Sequence, residues 1–263
     1  MNYEFLKVDI DQHGICTLML NRPDVRNALN DRVVTELRDA VKKIGANDSI
    51  RVLVLTGAGS AFCAGGDFRW MTSMKQQTRE ERVAGGLELA HLFVDLEQLT
   101  MPIVGRINGD AFGGGTGLTS ICDYAFGSRN GKMSVSEVRI GLVPANIAPY
   151  LVRRMGLRNA KATMLNGVPL EMDEAVAVGL LNEAVNPEEL DDAVENQIAK
   201  YLRASPVAIA ATKKLIEFVS KTPWDQTQDY TANCIADAWE TEDAIEGMNA
   251  FFEKRKANWW IER

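Results

Sequence analysis

The chain has 263 residues, of which 46% are hydrophobic and 25% charged, with a formal net charge of −7. That length permits a large core, as one extended domain or as a main domain with a helical appendage, and no apolar run is long enough to cross a bilayer. The acidic balance argues against nucleic acid as a partner, and the scattered Cys16, Cys63, Cys122 and Cys234 form neither a zinc pattern nor a disulfide framework, which fits a reducing cytoplasm.

The start, Met1 to Lys7, lacks the cationic and apolar blocks of a secretory signal and reads as the approach to a first strand. Leu6 to Ile10 and Ile15 to Leu20 have strand patterns, joined by a hairpin turn at Gln12-His13-Gly14. Asn30 is placed to cap a helix whose apolar residues Val33, Val34, Leu37, Val41 and Ile44 recur with helical period, and Gly45 to stop it. Val52 to Thr56 is the next strand. A helix-prone polar stretch and a long amphipathic segment through Leu87, Leu89, His91, Leu92, Phe93 and Leu96 follow, ended by Met101-Pro102. Ile103 to Ile107 is a buried strand, Gly113 to Cys122 a helix of small residues, and Tyr124 to Gly127 a further strand. From Pro187 onward the chain is helical, over about 188–202, 207–219, 228–240 and 243–256. The expected division is therefore an α/β core over 1–186 and a helical region over 187–263.

Two segments have the same grammar of apolar strand, glycine-rich turn and helix start. They are Thr56 to Asp67, which ends Phe62-Cys63-Ala64-Gly65-Gly66-Asp67, and Ile107 to Gly117, which contains Phe112-Gly113-Gly114-Gly115. Neither spells the dinucleotide fingerprint G-x-G-x-x-G. If both turns face one cleft, an unpaired backbone N–H from each can meet a single oxygen, an arrangement that stabilises negative charge developing in a reaction. Glu137 follows the extended stretch Lys132 to Ser136 and precedes Ile140, Leu142 and Val143. Partial desolvation there would raise its pKa and suit it to proton transfer at carbon; an ion pair with Arg139 is the plainer reading. Asp67 sits where an N-cap belongs, and Cys63, with no histidine near it in sequence, reads as a packing residue.

Four blocks in this order, Asn21-Arg22-Pro23 with Asn27-Ala28-Leu29, Phe62 to Asp67, Asn108-Gly109 with Gly113-Gly114-Gly115, and Ser136-Glu137-Val138-Arg139-Ile140-Gly141-Leu142-Val143-Pro144, resemble the enoyl-CoA hydratase/isomerase (crotonase) family along nearly the whole chain. The detailed wording of the second, third and fourth blocks is most similar to bacterial methylglutaconyl-CoA and isohexenylglutaconyl-CoA hydratases. The resemblance implies an α/β fold, a crotonase-like spiral of ββα units with two roughly perpendicular sheets, and a C-terminal helical region that assembles a homotrimer or a dimer of trimers. It implies an acyl-CoA substrate, no cofactor beyond the CoA moiety and no metal, with the thioester oxygen held by the N–H groups of Gly66 and Gly114 and with Glu137 as the acid/base. Arg26, Ala28, Ala64, Gly66, Asp67, Phe68 and Lys254 match its CoA contacts.

One position departs from the pattern. Many hydratases of this family carry a second glutamate where this chain has Gly117, so Glu137 would serve alone, in hydration of a 2-enoyl-CoA or in a 3-enoyl to 2-enoyl shift; an acyl-CoA-binding protein without turnover is the third reading. Trp70, Met71 and Asn146-Ile147 are expected at the acyl pocket or in the core, His91 in the core or at that pocket, and Asp123 in a structural hydrogen bond. Arg69, Lys75, Arg139 and Arg153 are the candidates for meeting a distal carboxylate.

Overall fold

The computed structural model describes residues 1–263. Ten strands form two sheets. The larger contains β1 (Leu6–Ile10), β2 (Ile15–Leu20), β3 (Val52–Gly57), β5 (Ile103–Ile107), β7 (Tyr124–Ser128) and β10 (Glu183–Val185), in the order β1-β2-β3-β5-β7-β10. The smaller contains β4 (Ala61–Cys63), β6 (Asp110–Phe112), β8 (Lys132–Ser134) and β9 (Leu170–Glu171), in the order β4-β6-β8-β9. Only the β1–β2 hairpin and the β8–β9 pair are antiparallel.

The spiral follows from the connections. β3, β5 and β7 lie side by side and parallel, and each runs within a few residues into a short strand of the other sheet, β4, β6 and β8, which are again neighbours and parallel. A helix or helical turn then returns the chain. The first ββα turn is completed by α2 (Phe68–Ser73) and α3 (Arg79–Glu97), the second by α4 (Gly114–Ile121), and the third by a 3₁₀ turn over Glu137–Ile140 and α5 (Ala148–Met164), which bends at Gly156. Helix α1 (Asp31–Gly45) is capped as its sequence predicts, the Asn30 side chain accepting from Val33 N–H, and all six of its buried residues lie on one face.

β3 shows why both faces of the large sheet are covered. Leu53 and Leu55 enter the main core, whereas Val52 and Val54 point the other way into a second cluster with Val104, Phe126 and the Leu190, Val194 and Ile198 stripe of α7 (Leu190–Tyr201). A central parallel strand must be apolar throughout for this reason. Helix α6 (Met172–Ala177) buries Met172 and Ala175 in the main core.

The last three helices behave differently. Neither α8 (Pro206–Lys221) nor α9 (Gln228–Trp239) has a fully buried residue, and α10 (Glu242–Phe252) has only Ala250. Trp239, Phe251 and Phe252 stand exposed, and an apolar cleft of about 800 Å3 opens between these helices, away from the glycine turns. They are tied to the core by Lys213, whose Nζ donates to Asp123 (2.7 Å) and to the Met101 carbonyl (3.0 Å). No helix of the chain is long and apolar enough to cross a membrane.

The segment read as amphipathic from Leu87 buries Leu92, Phe93 and Leu96 but leaves Leu87 exposed. His91 is exposed, which corrects its reading as a core residue; its neighbours Leu92 and Phe93 take the inward face.

Candidate active site

The site lies where three parallel strands stop together. β4, β6 and β8 end at Cys63, Phe112 and Ser134, and the residues that follow are Gly65-Gly66, Gly113-Gly114 and Ser136-Glu137. A cleft beyond the carboxyl ends of parallel strands gathers functional groups in many α/β proteins. Here it joins three segments that are about fifty and twenty residues apart in sequence.

The two glycine bends touch. Gly65 (φ 89°) and Gly113 (φ 48°) both take left-handed backbone values. A Cβ placed on Gly65 would come within 2.9 Å of the Phe112 carbonyl oxygen and 3.7 Å of Gly113 Cα. A Cβ on Gly113 would stand 2.8 Å from Glu137 Oε1 and 3.8 Å from Gly65 Cα. Any side chain at either bend would thus fill the space shared by the other bend and the carboxylate.

The orientation of the amides follows from their neighbours. Leu29 N–H donates to the Gly65 carbonyl (2.7 Å) and the Leu29 carbonyl accepts from Asp67 N–H (2.8 Å), forming a single parallel bridge opposite Gly66. Backbone groups alternate along an extended segment, so Gly66 N–H points away from Leu29. Gly114 is the first residue of α4, where no intrahelical acceptor exists. Neither N–H is engaged by an acceptor within the chain. Two free donors at adjoining bends beside a carboxylate can hold an anionic oxygen while a proton moves nearby.

Glu137 opens the 3₁₀ turn that Gly141 closes in a left-handed conformation (φ 77°). Its Oε2 is buried without a hydrogen-bond partner. Burial pushes its carboxyl above the usual glutamate range, only partly offset by its own backbone N–H. The ion pair with Arg139 does not form; the Arg139 side chain lies against Gly167 instead. An orphaned carboxylate oxygen in a buried position is costly, and such groups cluster where chemistry uses them.

Asp67 caps α2, accepting from Arg69 N–H (3.0 Å), and pairs with Arg22 Nη2 (3.0 Å). Burial raises its carboxyl, but the Arg22 guanidinium and the backbone donors outweigh this and hold it below the usual aspartate range. Ala64 N–H donates to the Arg26 carbonyl (2.9 Å), so Arg26, Ala28, Ala64, Gly66 and Asp67 lie along the two sides of one short backbone pairing, and Phe68 follows as the first residue of α2. Arg26 is ion-paired with Asp110, and Phe68 is largely exposed. Lys254, beyond α10, makes no hydrogen bond or ion pair to these residues. Asp123 has the structural role read from sequence, accepting from Ile103 N–H (2.7 Å) and Lys213.

Burial pushes the Cys63 thiol up to about 12, which removes it as a nucleophile at neutral pH. Met71 lies beside the first bend, its Sδ 2.8 Å from a Cβ placed on Gly66. The Gly117 position is closed: a Cβ there would stand 2.3 Å from Ile147 Cγ2 and 3.0 Å from Phe93 Cζ. Arg153 is committed to Glu97 (2.6 Å) and stacks over Tyr150, 5.6 Å from its ring centroid. Two asparagines set the first turn; the sequence marked them only by their places in Asn27-Ala28-Leu29 and Asn108-Gly109, not by their side-chain roles. Buried Asn27 donates to the Ala58 and Ala61 carbonyls, and Asn108 accepts from Gly57 N–H and donates to Gly59. Arg22 is the third such residue; its only sequence signal is its place in Asn21-Arg22-Pro23.

A spiral of ββα turns that brings two glycine bends and one half-buried carboxylate to the ends of its short strands defines an enzyme of the crotonase type. The chain belongs to the enoyl-CoA hydratase/isomerase family, whose model matches residues 11–261. It is 31% identical over 260 residues to a crotonyl-CoA hydratase of Syntrophomonas wolfei, covering 98% of each chain. Among solved structures it is similar to an enoyl-CoA hydratase from Shewanella pealeana (TM-score 0.93, 31% identity, 97% of this chain and 96% of that one). It is also similar to AtuE of Pseudomonas aeruginosa (TM-score 0.94, 30% identity, 98% and 100%).

Proposed function

We propose that the protein is a hydro-lyase that adds water across the double bond of a 2-enoyl-CoA. In this reading the thioester oxygen accepts from Gly66 N–H and Gly114 N–H. The Glu137 carboxylate takes a proton from water as the oxygen adds to C3; the resulting enolate is held by the two amides until Glu137 returns the proton to C2. The observation that carries the reading is the unpartnered Glu137 carboxylate lying against the bend that presents Gly114, itself in contact with the bend that presents Gly66. Two preorganised donors lower the barrier to such an enolate by several kcal/mol, of order 3 kcal/mol for one donor.

The acyl group, in our reading, is branched and glutaconyl-like, and CoA runs along Arg26, Ala28, Ala64, Asp67 and Phe68, with Lys254 contributing across a subunit boundary. No metal or cofactor besides the CoA of the substrate takes part, and neither nucleic acid nor membrane is a partner. Residues 1–186 carry the chemistry in a cytoplasmic enzyme. Residues 187–263 assemble a homotrimer or dimer of trimers, which the exposed apolar faces of α8 to α10 support.

The closed Gly117 position favours a second reading, because one carboxylate also suffices to shuttle a proton between C4 and C2 of a 3-enoyl-CoA. Incubating the native protein and Glu137→Gln with 2-enoyl- and 3-enoyl-CoA panels, followed by mass analysis, separates the two. A product heavier by one water, formed by the native protein alone, supports hydration. Isomerisation of 3-enoyl substrates with every 2-enoyl-CoA left unhydrated overturns it, as does binding without turnover.

A further inference from the structure

The donor at Gly66 depends on a short piece of architecture. Its only ladder partner is the segment 26–29, joined through one isolated bridge. That segment contains two consecutive non-glycine residues in the left-handed region, Arg26 (φ 53°) and Asn27 (φ 57°). Such conformations persist only where surrounding contacts over-determine them. A bridge of two hydrogen bonds between loops is by itself a soft element.

Arg22 spans this bridge. Its Nη1 donates to the Ala28 carbonyl (2.6 Å) on one side, and its Nη2 donates to Asp67 Oδ2 (3.0 Å) on the other. Its own backbone N–H donates to Asn27 Oδ1 (2.8 Å), and its carbonyl accepts from Asn27 N–H (2.9 Å). The Phe5 ring covers the guanidinium at 4.8 Å, leaving the Arg22 side chain 15% exposed, opposite an Asp67 side chain that is 12% exposed. Asp67 is the residue after Gly66 and also caps α2, so the same contact sets the first turn of the helix that carries Met71 to the bend.

We propose that Arg22 is a positioning residue for the oxyanion hole: its planar fork, gripping the Ala28 carbonyl and the Asp67 carboxylate at once, fixes the direction of Gly66 N–H. The idea rests on the hydration reading for its assay. A fork of rigid geometry can hold two acceptors on opposite strands with one side chain, whereas a lysine ammonium on a flexible stem does so poorly. Donor position matters to a few tenths of an ångström at a developing oxyanion, while the substrate's remote CoA contacts bind equally before and during the reaction. Loss of the fork therefore lowers kcat by more than it raises KM, the rise in KM coming from the CoA contacts at Ala28 and Asp67.

The test uses Arg22→Gln, Arg22→Lys, Asp67→Asn and the double variant R22Q/D67N beside the native enzyme. Turnover of the enoyl-CoA substrate is measured together with the near-ultraviolet absorbance of enolate formed when acetoacetyl-CoA binds. Arg22→Gln is expected to lower kcat by roughly 10- to 100-fold, a larger factor than its rise in KM, and to lose the bound enolate signal. Arg22→Lys recovers part of both. The double variant is no slower than Arg22→Gln, because the two residues act in series. Native kcat and enolate signal in folded Arg22→Gln, or additive losses in the double variant, overturn the proposal. Should Arg22→Gln fail to fold, full enolate signal in both Arg22→Lys and Asp67→Asn overturns it equally. A native enzyme that neither hydrates enoyl-CoA nor enolises acetoacetyl-CoA defeats the hydration reading itself and removes the hole that Arg22 would position.

Discussion

Replacing Gly117 with alanine should destabilise the protein, although the same change in an open helix would stabilise it. The added methyl would stand 2.3 Å from Ile147 Cγ2, 3.0 Å from Ile147 Cβ and 3.0 Å from Phe93 Cζ, where carbon pairs rest at about 3.5–4.0 Å. Neither neighbour can step aside: Ile147 is 3% and Phe93 0% exposed, and a β-branched side chain has little χ1 freedom. Overpacking of this kind costs up to about 3 kcal/mol, and the helix-propensity gain of alanine over glycine returns about 1. The net loss of about 2 kcal/mol corresponds to roughly 4–8 °C in Tm for a chain of this size. Urea unfolding of the native protein, Gly117→Ala, Ile147→Ala and the double variant closes a cycle. Ile147→Ala removes the methyl at 2.3 Å but leaves its Cβ and Phe93 Cζ at 3.0 Å, so Gly117→Ala costs less in that background and the coupling is about 1–2 kcal/mol. A Gly117→Ala protein as stable as the native one would refute the closed wall. A glutamate at 117 meets the same obstacle, so it restores no second carboxylate unless Ile147 is shortened.

Glu137→Gln should lower kcat by at least about 100-fold while raising Tm, because it removes a buried carboxylate with an unpartnered oxygen; steady-state kinetics and thermal unfolding of one preparation check both. Since the base form of Glu137 is required and its pKa is raised by burial, the hydration rate should fall as the pH drops through a value above that of an ordinary glutamate. An acid limb at or below the ordinary value contradicts the assignment. Asp67 has the opposite sign: its lowered pKa contributes stability that is complete above the usual aspartate range and is lost as the pH falls through the lowered value, so D67N should flatten the acid limb of the stability curve. Burial pushes Cys16, Cys63 and Cys122 up to about 12, so neutral iodoacetamide should leave all three unlabelled in the native protein, as peptide mapping by mass spectrometry checks.

Much of the fold was readable because its signals are local. The β1–β2 hairpin, the capped helix α1, the strands β3, β5 and β7 and the four C-terminal helices all carry their period, cap or turn within a dozen residues. The three-residue strands β4, β6 and β8 carry no period to read, and they are strands only because each pairs with its neighbour from another ββα turn. The exposed His91 and Leu87 were misread for a related reason. Helical spacing shows that one face is apolar without showing how far along the helix a partner extends.

At the site, residue chemistry picked out the two glycine bends, and the apolar neighbours of Glu137 together with the family resemblance picked out that acid, since φ > 0 turns and local apolarity are properties of short segments. It could not bring them into contact. That requires the parallel register of β4, β6 and β8, a sum of long-range pairings that no single segment encodes. The roles of Arg22, Asn27 and Asn108 lay hidden for the same reason: each acts by hydrogen-bonding backbone groups that are adjacent only after the chain has closed its spiral. Composition and periodicity determined which pieces this protein has. That the two bends adjoin each other and one carboxylate was decided by the tertiary fold, because distance through space is set by packing and not by order along the chain.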